Sequence, residues 1–271
     1  MIDSAKRILV IALETLREIV IYNRWFQLCL FGLLIFVLGC QTLTELPLGS
    51  SLPKLLFDVG QGIIVLTAGT VLVILLAFQL TTEIQSGLIY SYLVSRVSRS
   101  EYLIGKLIGG WVSLVLVVLV ADGVLAAIIE VQAFKNLIPG GEVLTPGIWE
   151  WLQTFLFQSL HLLVLASLTL CILTLSNSFL FPAVTTLAIW LAGLFLVGVG
   201  DFDNSATGFA GAIVDLLRLV LPRFEMWSLV DRLWYEGALT FIELIKSILI
   251  NLIYCIFLVG VGLAMFKHKE L

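Results

Sequence analysis

Charged side chains interrupt a very apolar chain in the stretch TTEIQSGLIYSYLVSRVSRSEYLIGKLIGGW, residues 81–111. Glu83 ends an apolar run, and a carboxylate left facing lipid there would cost up to about 2.5–3.5 kcal/mol. Glu83 is therefore predicted to form an ion pair. The sequence offers three basic partners for it: Arg17, Arg96 and Arg99. Such a pair would hold the helix that ends at Glu83, the following loop and the N-terminal segment together.

Four further polar residues lie within or at the ends of apolar segments. Asp122 is ionisable, and such a group inside a membrane helix indicates a functional site by default, although near the outer boundary it would only pair or extend toward water. His161 and Gln158 lie one helical turn apart, and together with Gln79 they could line a substrate route. A histidine that is hydrogen-bonded between helices is the alternative interpretation.

No residue pattern in the chain indicates catalysis or a bound cofactor. The apolar segments contain neither a Ser/His/Asp set nor paired acids, so we do not expect an enzyme. The four cysteines are far apart and the histidines are not clustered, so no metal site is expected. No GxxxxGK[ST] loop occurs, so ATP would have to bind to another chain. The formal net charge of -4 argues against binding to nucleic acid.

The composition predicts an integral membrane protein. Of 271 residues, 60% are hydrophobic and 13% are charged, and the mean hydropathy is +1.10. A membrane-spanning helix needs about 20 mostly apolar residues. Six segments meet this condition, so residues 1–271 are predicted to form one all-α transmembrane domain with spans at 26–44, 58–80, 102–129, 151–175, 179–200 and 245–266.

Six spans place both termini on one side of the membrane, and the basic residues indicate which side. With the termini inside, nine of the 15 lysines and arginines are cytoplasmic and six are outside. Four of the outer six fall in one long acidic segment, where basic residues carry little weight in this rule. We therefore expect a multi-pass protein of the cell membrane with cytoplasmic termini.

Two segments outside the spans are also predicted to be helical. Residues 4–23 are amphipathic with a wide apolar face, which is typical of a helix that lies along the inner membrane surface. A cytosolic extension of the first span is the alternative, and the bend that separates a surface helix from the first span is expected at Asn23-Arg24. Residues 201–244 are too long for a simple connection. We expect them to form re-entrant outer helices between the fifth and sixth spans, because lipid does not tolerate unpaired backbone.

The loop between the second and third spans resembles that of a known family. Glu83 and Gly87 are followed by a leucine-containing run, the basic turn SRVSR and the motif YLIGK. The same order, with an acidic residue, a glycine, a basic turn and an aromatic-leucine-x-Gly-Lys motif, is found in permeases of the ABC-2 type. ALETLREIVIYNRW near the N-terminus and LPRFEMWSL before the last span are similar to segments of the copper-maturation and gliding-type permeases of that family.

The resemblance implies the membrane subunit of an ATP-driven exporter. In that family a cytosolic coupling helix, here within 83–99, docks on a separate ABC ATPase that binds ATP and Mg²⁺, and two permease chains form a homodimer or heterodimer. The residues expected to couple this chain to the ATPase are Glu83, Gly87, Tyr90, Arg96, Arg99 and Lys106. A second set is expected to lock the interfacial helix to the bundle: Arg17, Glu18 and Arg24.

Two alternatives remain open from the sequence. The basic residues of the loop are also typical of anchors that contact lipid headgroups. The chain could also be a non-transporting scaffold that transmits the motion of the ATPase to an outer partner, with the long outer segment as the contact surface. The apolar faces of the spans carry no charge pattern that selects a substrate.

Overall fold

The computed structural model describes residues 2–39, 52–89, 97–135, 147–176, 178–200 and 241–268. These residues form helices and connecting turns, without a strand. Seven α-helices follow one another: α1 Ile2–Arg17, α2 Arg24–Gly39, α3 Leu52–Gln85, α4 Arg99–Lys135, α5 Ile148–Leu173, α6 Leu180–Gly200 and α7 Phe241–His268. A π-helical turn, Glu18–Tyr22, joins α1 to α2.

The all-α class and the membrane character of the chain are confirmed for these residues. The helices α3, α4, α5 and α7 are each long and apolar enough to cross a membrane. The pair α1 and α2 passes the same test as one broken element with a bend of 66°, and the apolar part of α6, Leu180–Leu194, is shorter. Each of the six predicted spans overlaps one of the helices α2 to α7.

Two helices extend beyond their predicted ends. The span predicted at 58–80 belongs to a helix that continues to Gln85, and the span predicted at 102–129 belongs to a helix that begins at Arg99. The sequence-based limits stop short of Glu83 and Glu101, because unpaired charges end an apolar run. In the structure both carboxylates have partners, so the helices continue through them.

The helix α5 lies at the centre of the bundle, where α3, α4, α6 and α7 pack against it. Its buried residues surround the helix over most of its length. The helix α7 contacts mainly α5, and much of its apolar surface is exposed. An apolar helix that is exposed on one side fits contact with lipid.

The N-terminal helix α1 packs closely along the first half of α4. Gly105 and Gly109 are four residues apart on α4, and a Cβ at Gly109 would lie 2.6 Å from the carbonyl oxygen of Ala12. This small-xxx-small spacing lets two helix backbones approach each other closely. The opposite side of α1 is exposed and carries apolar residues, such as Leu9 and Leu13, together with the charged residues Glu14 and Arg17.

The bend predicted at Asn23 is confirmed. Asn23 has an extended backbone conformation, and its side-chain oxygen accepts a hydrogen bond from the N–H of Phe26 at 3.2 Å. This is the geometry of an N-cap for α2. The middle of the predicted coupling segment, residues 90–96, includes Tyr90 and Arg96. It lies outside the described residues. So does the predicted re-entrant region up to residue 240.

The close contact between α1 and α4 predicts a strong difference between two glycine substitutions in α4. Gly109→Ala should lower the stability by about 1–3 kcal/mol, because the new methyl group would overlap the backbone of α1. The matched control is Gly123→Ala, since a Cβ there has nothing within 4 Å. Thermal unfolding of the purified chain in detergent measures both, and equal midpoints for the two variants would contradict the packing.

Candidate functional site

Five polar side chains from three elements meet at one end of the bundle, and we call them the charged joint: Glu18, Gln79, Glu83, Tyr102 and Lys106. Gln79 and Glu83 are four residues apart near the end of α3, and Tyr102 and Lys106 are four apart near the start of α4. This spacing places each pair on one face of its helix. Glu18 comes from the π-helical turn after α1.

Lys106 is the centre of the charged joint. Its Nζ lies 2.6 Å from Oε1 of Glu83 and 3.2 Å from Oε2 of Glu18. The hydroxyl of Tyr102 donates to the other oxygen of Glu83, and Nε2 of Gln79 donates to Glu18 at 2.6 Å. One ammonium therefore joins α3, α4 and the N-terminal segment.

The two ion pairs of Lys106 differ in their exposure to solvent. Lys106 is 1% exposed and Glu83 is also buried, whereas the side chain of Glu18 is 42% exposed. Water screens the attraction within an exposed ion pair. In a buried pair each charge has lost its hydration, and only its partner compensates for that loss. The pair with Glu83 is therefore the one whose disruption would leave a buried charge without compensation.

A second polar cluster fixes the start of α4 to α1. Ser98 and Glu101 form a capping box, in which the N–H of Ser98 donates to Glu101 at 2.9 Å and the N–H of Glu101 donates to the Ser98 hydroxyl at 3.2 Å. Glu101 also pairs with Arg7 at 3.0 Å and accepts a hydrogen bond from Ser4. Each end of this cluster belongs to a different helix, so it holds α1 and α4 in register.

Arg99 connects the same end of the bundle to α7. Its Nη1 lies 3.4 Å from the carbonyl oxygens of Phe266 and Lys267 in the last turn of α7. The last carbonyls of a helix have no partner within the helix and carry partial negative charge, which a guanidinium complements. The residues that flank the predicted coupling segment are thus tied to α1, α4 and α7.

The remaining residues predicted for this region have separate environments. Gly87 has a φ of 73°, a left-handed conformation that glycine adopts without strain, and it turns the chain after α3. Arg17 is exposed, with its guanidinium 5.8 Å from the ring centre of Tyr22, and Arg24 is exposed at the first residue of α2. The predicted arginine partner of Glu83 is wrong for the described residues, because Lys106 is its basic partner.

The three predicted pathway residues do not lie together. Gln79 belongs to the charged joint, whereas Gln158 and His161 lie on α5. His161 is buried and accepts a hydrogen bond from Nε1 of Trp190 at 2.7 Å. This is the environment that the alternative interpretation of the histidine predicts, and Gln158 donates a hydrogen bond to Gln61 of α3.

Sequence reasoning missed Gln61, which is the hydrogen-bond partner of Asp122. Asp122 neither reaches water nor forms an ion pair with a described residue; it is buried and accepts a hydrogen bond from Gln61 at 3.1 Å. The signal for Gln61 in the sequence is a single amide between two glycines, in VGQGII. An uncharged residue in that position gave no reason to search for a partner.

The described residues contain no group of three or more His, Cys, Asp or Glu side chains that could hold a metal ion. No protein-family model matches the chain, and no curated protein matches it. What defines the chain is therefore its class, an all-α membrane protein, together with the charged joint at one end of its bundle. The chemistry of the joint is ion pairing and hydrogen bonding between helices.

The charged joint predicts that two substitutions are less harmful than one. Lys106→Met should lower the stability by about 3–5 kcal/mol, because it leaves Glu83 buried without a cation. The double variant Lys106→Met with Glu83→Gln should recover a large part of this loss, because the buried carboxylate is also removed. Thermal unfolding midpoints in detergent measure both.

The matched control for this experiment is Lys54→Met. Lys54 pairs with Asp58 at 4.0 Å within one helix, and both side chains are partly exposed. Such pairs contribute about 0.3–0.5 kcal/mol, so this variant should unfold close to the wild-type midpoint. A double variant that is less stable than Lys106→Met alone would show that the pair is not the source of the stability.

Proposed function

We propose that this chain is the membrane subunit of an ATP-driven exporter of the ABC-2 type, with ATP hydrolysis on a separate subunit. The observation that supports this function best is the charged joint, which includes Glu83 at the start of the segment 83–99. It ties the helix before that segment, the helix after it and the N-terminal helix into one unit. A segment that transmits a displacement from another protein needs such a connection, since a flexible loop would move without displacing the helices.

In this proposal the motion of the ATPase enters through the segment between α3 and α4. The segment leaves α3 at Gly87 and reaches α4 through the capping box of Ser98 and Glu101. Lys106 and Arg99 connect the same region to the N-terminal segment and to α7. A displacement of the segment would therefore be carried by whole helices, as in rigid-body transport cycles.

The proposal includes six spans, with α2 to α7 each crossing the membrane once and both termini in the cytoplasm. A chain of this kind works with a second permease chain, and the substrate route forms between the two copies. Exposed apolar faces on α2 and α7 are compatible with contact to lipid or to that second chain. The Mg²⁺ and ATP belong to the partner ATPase. This chain contributes the segment that contacts the ATPase and half of the substrate route.

Purification from the native membrane tests the proposal. The tagged full chain should co-elute with a protein that hydrolyses ATP. Leu88→Ser should lower the amount of that ATPase or its turnover several-fold, because Leu88 is a 53% exposed leucine at the start of the coupling segment. Burial of the exposed half of a leucine side chain contributes about 1 kcal/mol, which corresponds to a several-fold change in affinity.

The matched control for Leu88→Ser is Leu175→Ser. Leu175 is 58% exposed and lies in the turn between α5 and α6, which the proposed topology places on the same side of the membrane. This variant should retain the ATPase at the wild-type level. Absence of any nucleotide-hydrolysing partner in the wild-type preparation would refute the proposed function, and equal losses in the two variants would refute the position of the docking segment.

A further inference from the structure

A third polar cluster lies inside the bundle, far from the charged joint, and we call it the amide–carboxyl triad: Gln61 of α3, Asp122 of α4 and Gln158 of α5. All three residues are buried, with 1%, 5% and 5% exposure. Asp122 is sixteen residues after Lys106 on α4, which corresponds to about 24 Å along the helix. The triad therefore belongs to a different level of the bundle from the residues proposed for coupling.

The hydrogen bonds of the triad run in one direction. Nε2 of Gln158 donates to Oε1 of Gln61, and Nε2 of Gln61 donates to Oδ1 of Asp122 at 3.1 Å. Two buried oxygens then remain without a partner in the described part of the chain: Oδ2 of Asp122 and Oε1 of Gln158. Both are acceptors, so the group missing from the triad is a hydrogen-bond donor or a cation.

No charged side chain among the described residues supplies the missing group. None of the ion pairs there includes Asp122. On α3 the side chain against Asp122 is the neutral amide of Gln61, and the nearest titratable residue is Asp58, one turn away, which pairs with Lys54. The nearest titratable residue along α4 is Glu130, which is exposed.

The helices α5 and α2 do not supply the missing group either. On α5 the nearest titratable residue to the triad is His161, one turn from Gln158, and its Nε2 accepts the N–H of Trp190. A ring nitrogen that accepts a hydrogen bond belongs to a neutral imidazole. The helix α2 also contacts α4, and after Arg24 at its start it carries no charged residue.

An ionised carboxylate in this position would be very unfavourable. Removal of a carboxylate from water without a counter-ion is so costly that the group becomes neutral instead. A proton makes Asp122 neutral, occupies no volume and converts Oδ2 from an acceptor into a donor. A hard metal cation takes about six or more oxygen ligands, whereas the triad offers two unused oxygens. A proton therefore fits the site better than a metal ion.

We propose that Asp122 is a proton-binding site, and that its carboxyl group holds the proton while α3, α4 and α5 are packed around it. Loss of the proton to water leaves a carboxylate, which requires these three helices to separate until water or a cation reaches Oδ2. Uptake of the proton restores the neutral acid and allows the helices to close. This inference rests on the triad alone and does not depend on the proposed exporter function.

Infrared spectroscopy tests the proton directly. The full chain is reconstituted in lipid nanodiscs in a neutral buffer with choline as the added cation. Wild-type protein should show the carbonyl stretching band of a protonated carboxylic acid, shifted on transfer to heavy water. Asp122→Asn should lack this band, because its amide cannot form an acid. The absence of any acid band that distinguishes the two proteins would overturn the proposal.

A second variant keeps the test decisive if Asp122→Asn does not fold. Gln61→Leu removes the hydrogen bond to Oδ1, so the acid band should remain and move to higher frequency. If no acid band moves in this variant, Asp122 is not its source and the proposal fails. The same samples are measured with sodium in place of choline. Loss of the band in sodium would identify a metal-cation site and would also overturn the proposal.

Discussion

The ammonium of Lys106 lies between two carboxylates from different parts of the chain and is almost completely shielded from solvent. Neither Glu83 nor Lys106 could occupy its position alone, because each would then be a buried charge without a partner. Their contact fixes how far α3 extends and where α4 must cross it. The arginine contact with α7 and the close packing of α1 use residues of the same part of α4, between Arg99 and Gly109.

The sequence predicts the need for this interaction but not its partner. An acid at the end of an apolar run must be neutralised, and this argument holds for Glu83 without any structure. The choice of Lys106 over an arginine depends on the relative height and rotation of two antiparallel helices, which the pattern of apolar residues leaves open. The same limit explains the helix ends, because the apolar pattern stops at a charge whose partner is not yet known.

Other contacts could not be predicted from the sequence for a different reason. Gln61 carries no charge, and its significance comes only from its proximity to Asp122 and Gln158 across three helices. For Gly109 the sequence does give a signal, because a glycine in an apolar helix indicates close packing. It does not show which helix packs there. The all-α class, the membrane character and the approximate positions of the apolar helices follow from composition and periodicity. Which helices contact each other depends on how their side chains pack, and the local pattern of residues along one sequence does not show this.

The order of the charged joint along the chain has a consequence for biosynthesis. Glu18 and Glu83 leave the ribosome before Lys106, so both carboxylates lack this partner until the start of α4 has been made. The α3–α4 hairpin is then the shortest segment in which the buried acid of α3 is neutralised. Insertion of α3 by itself would leave that acid without its cation. These two helices are therefore expected to enter the membrane as a pair, and the N-terminal helix can dock only after them.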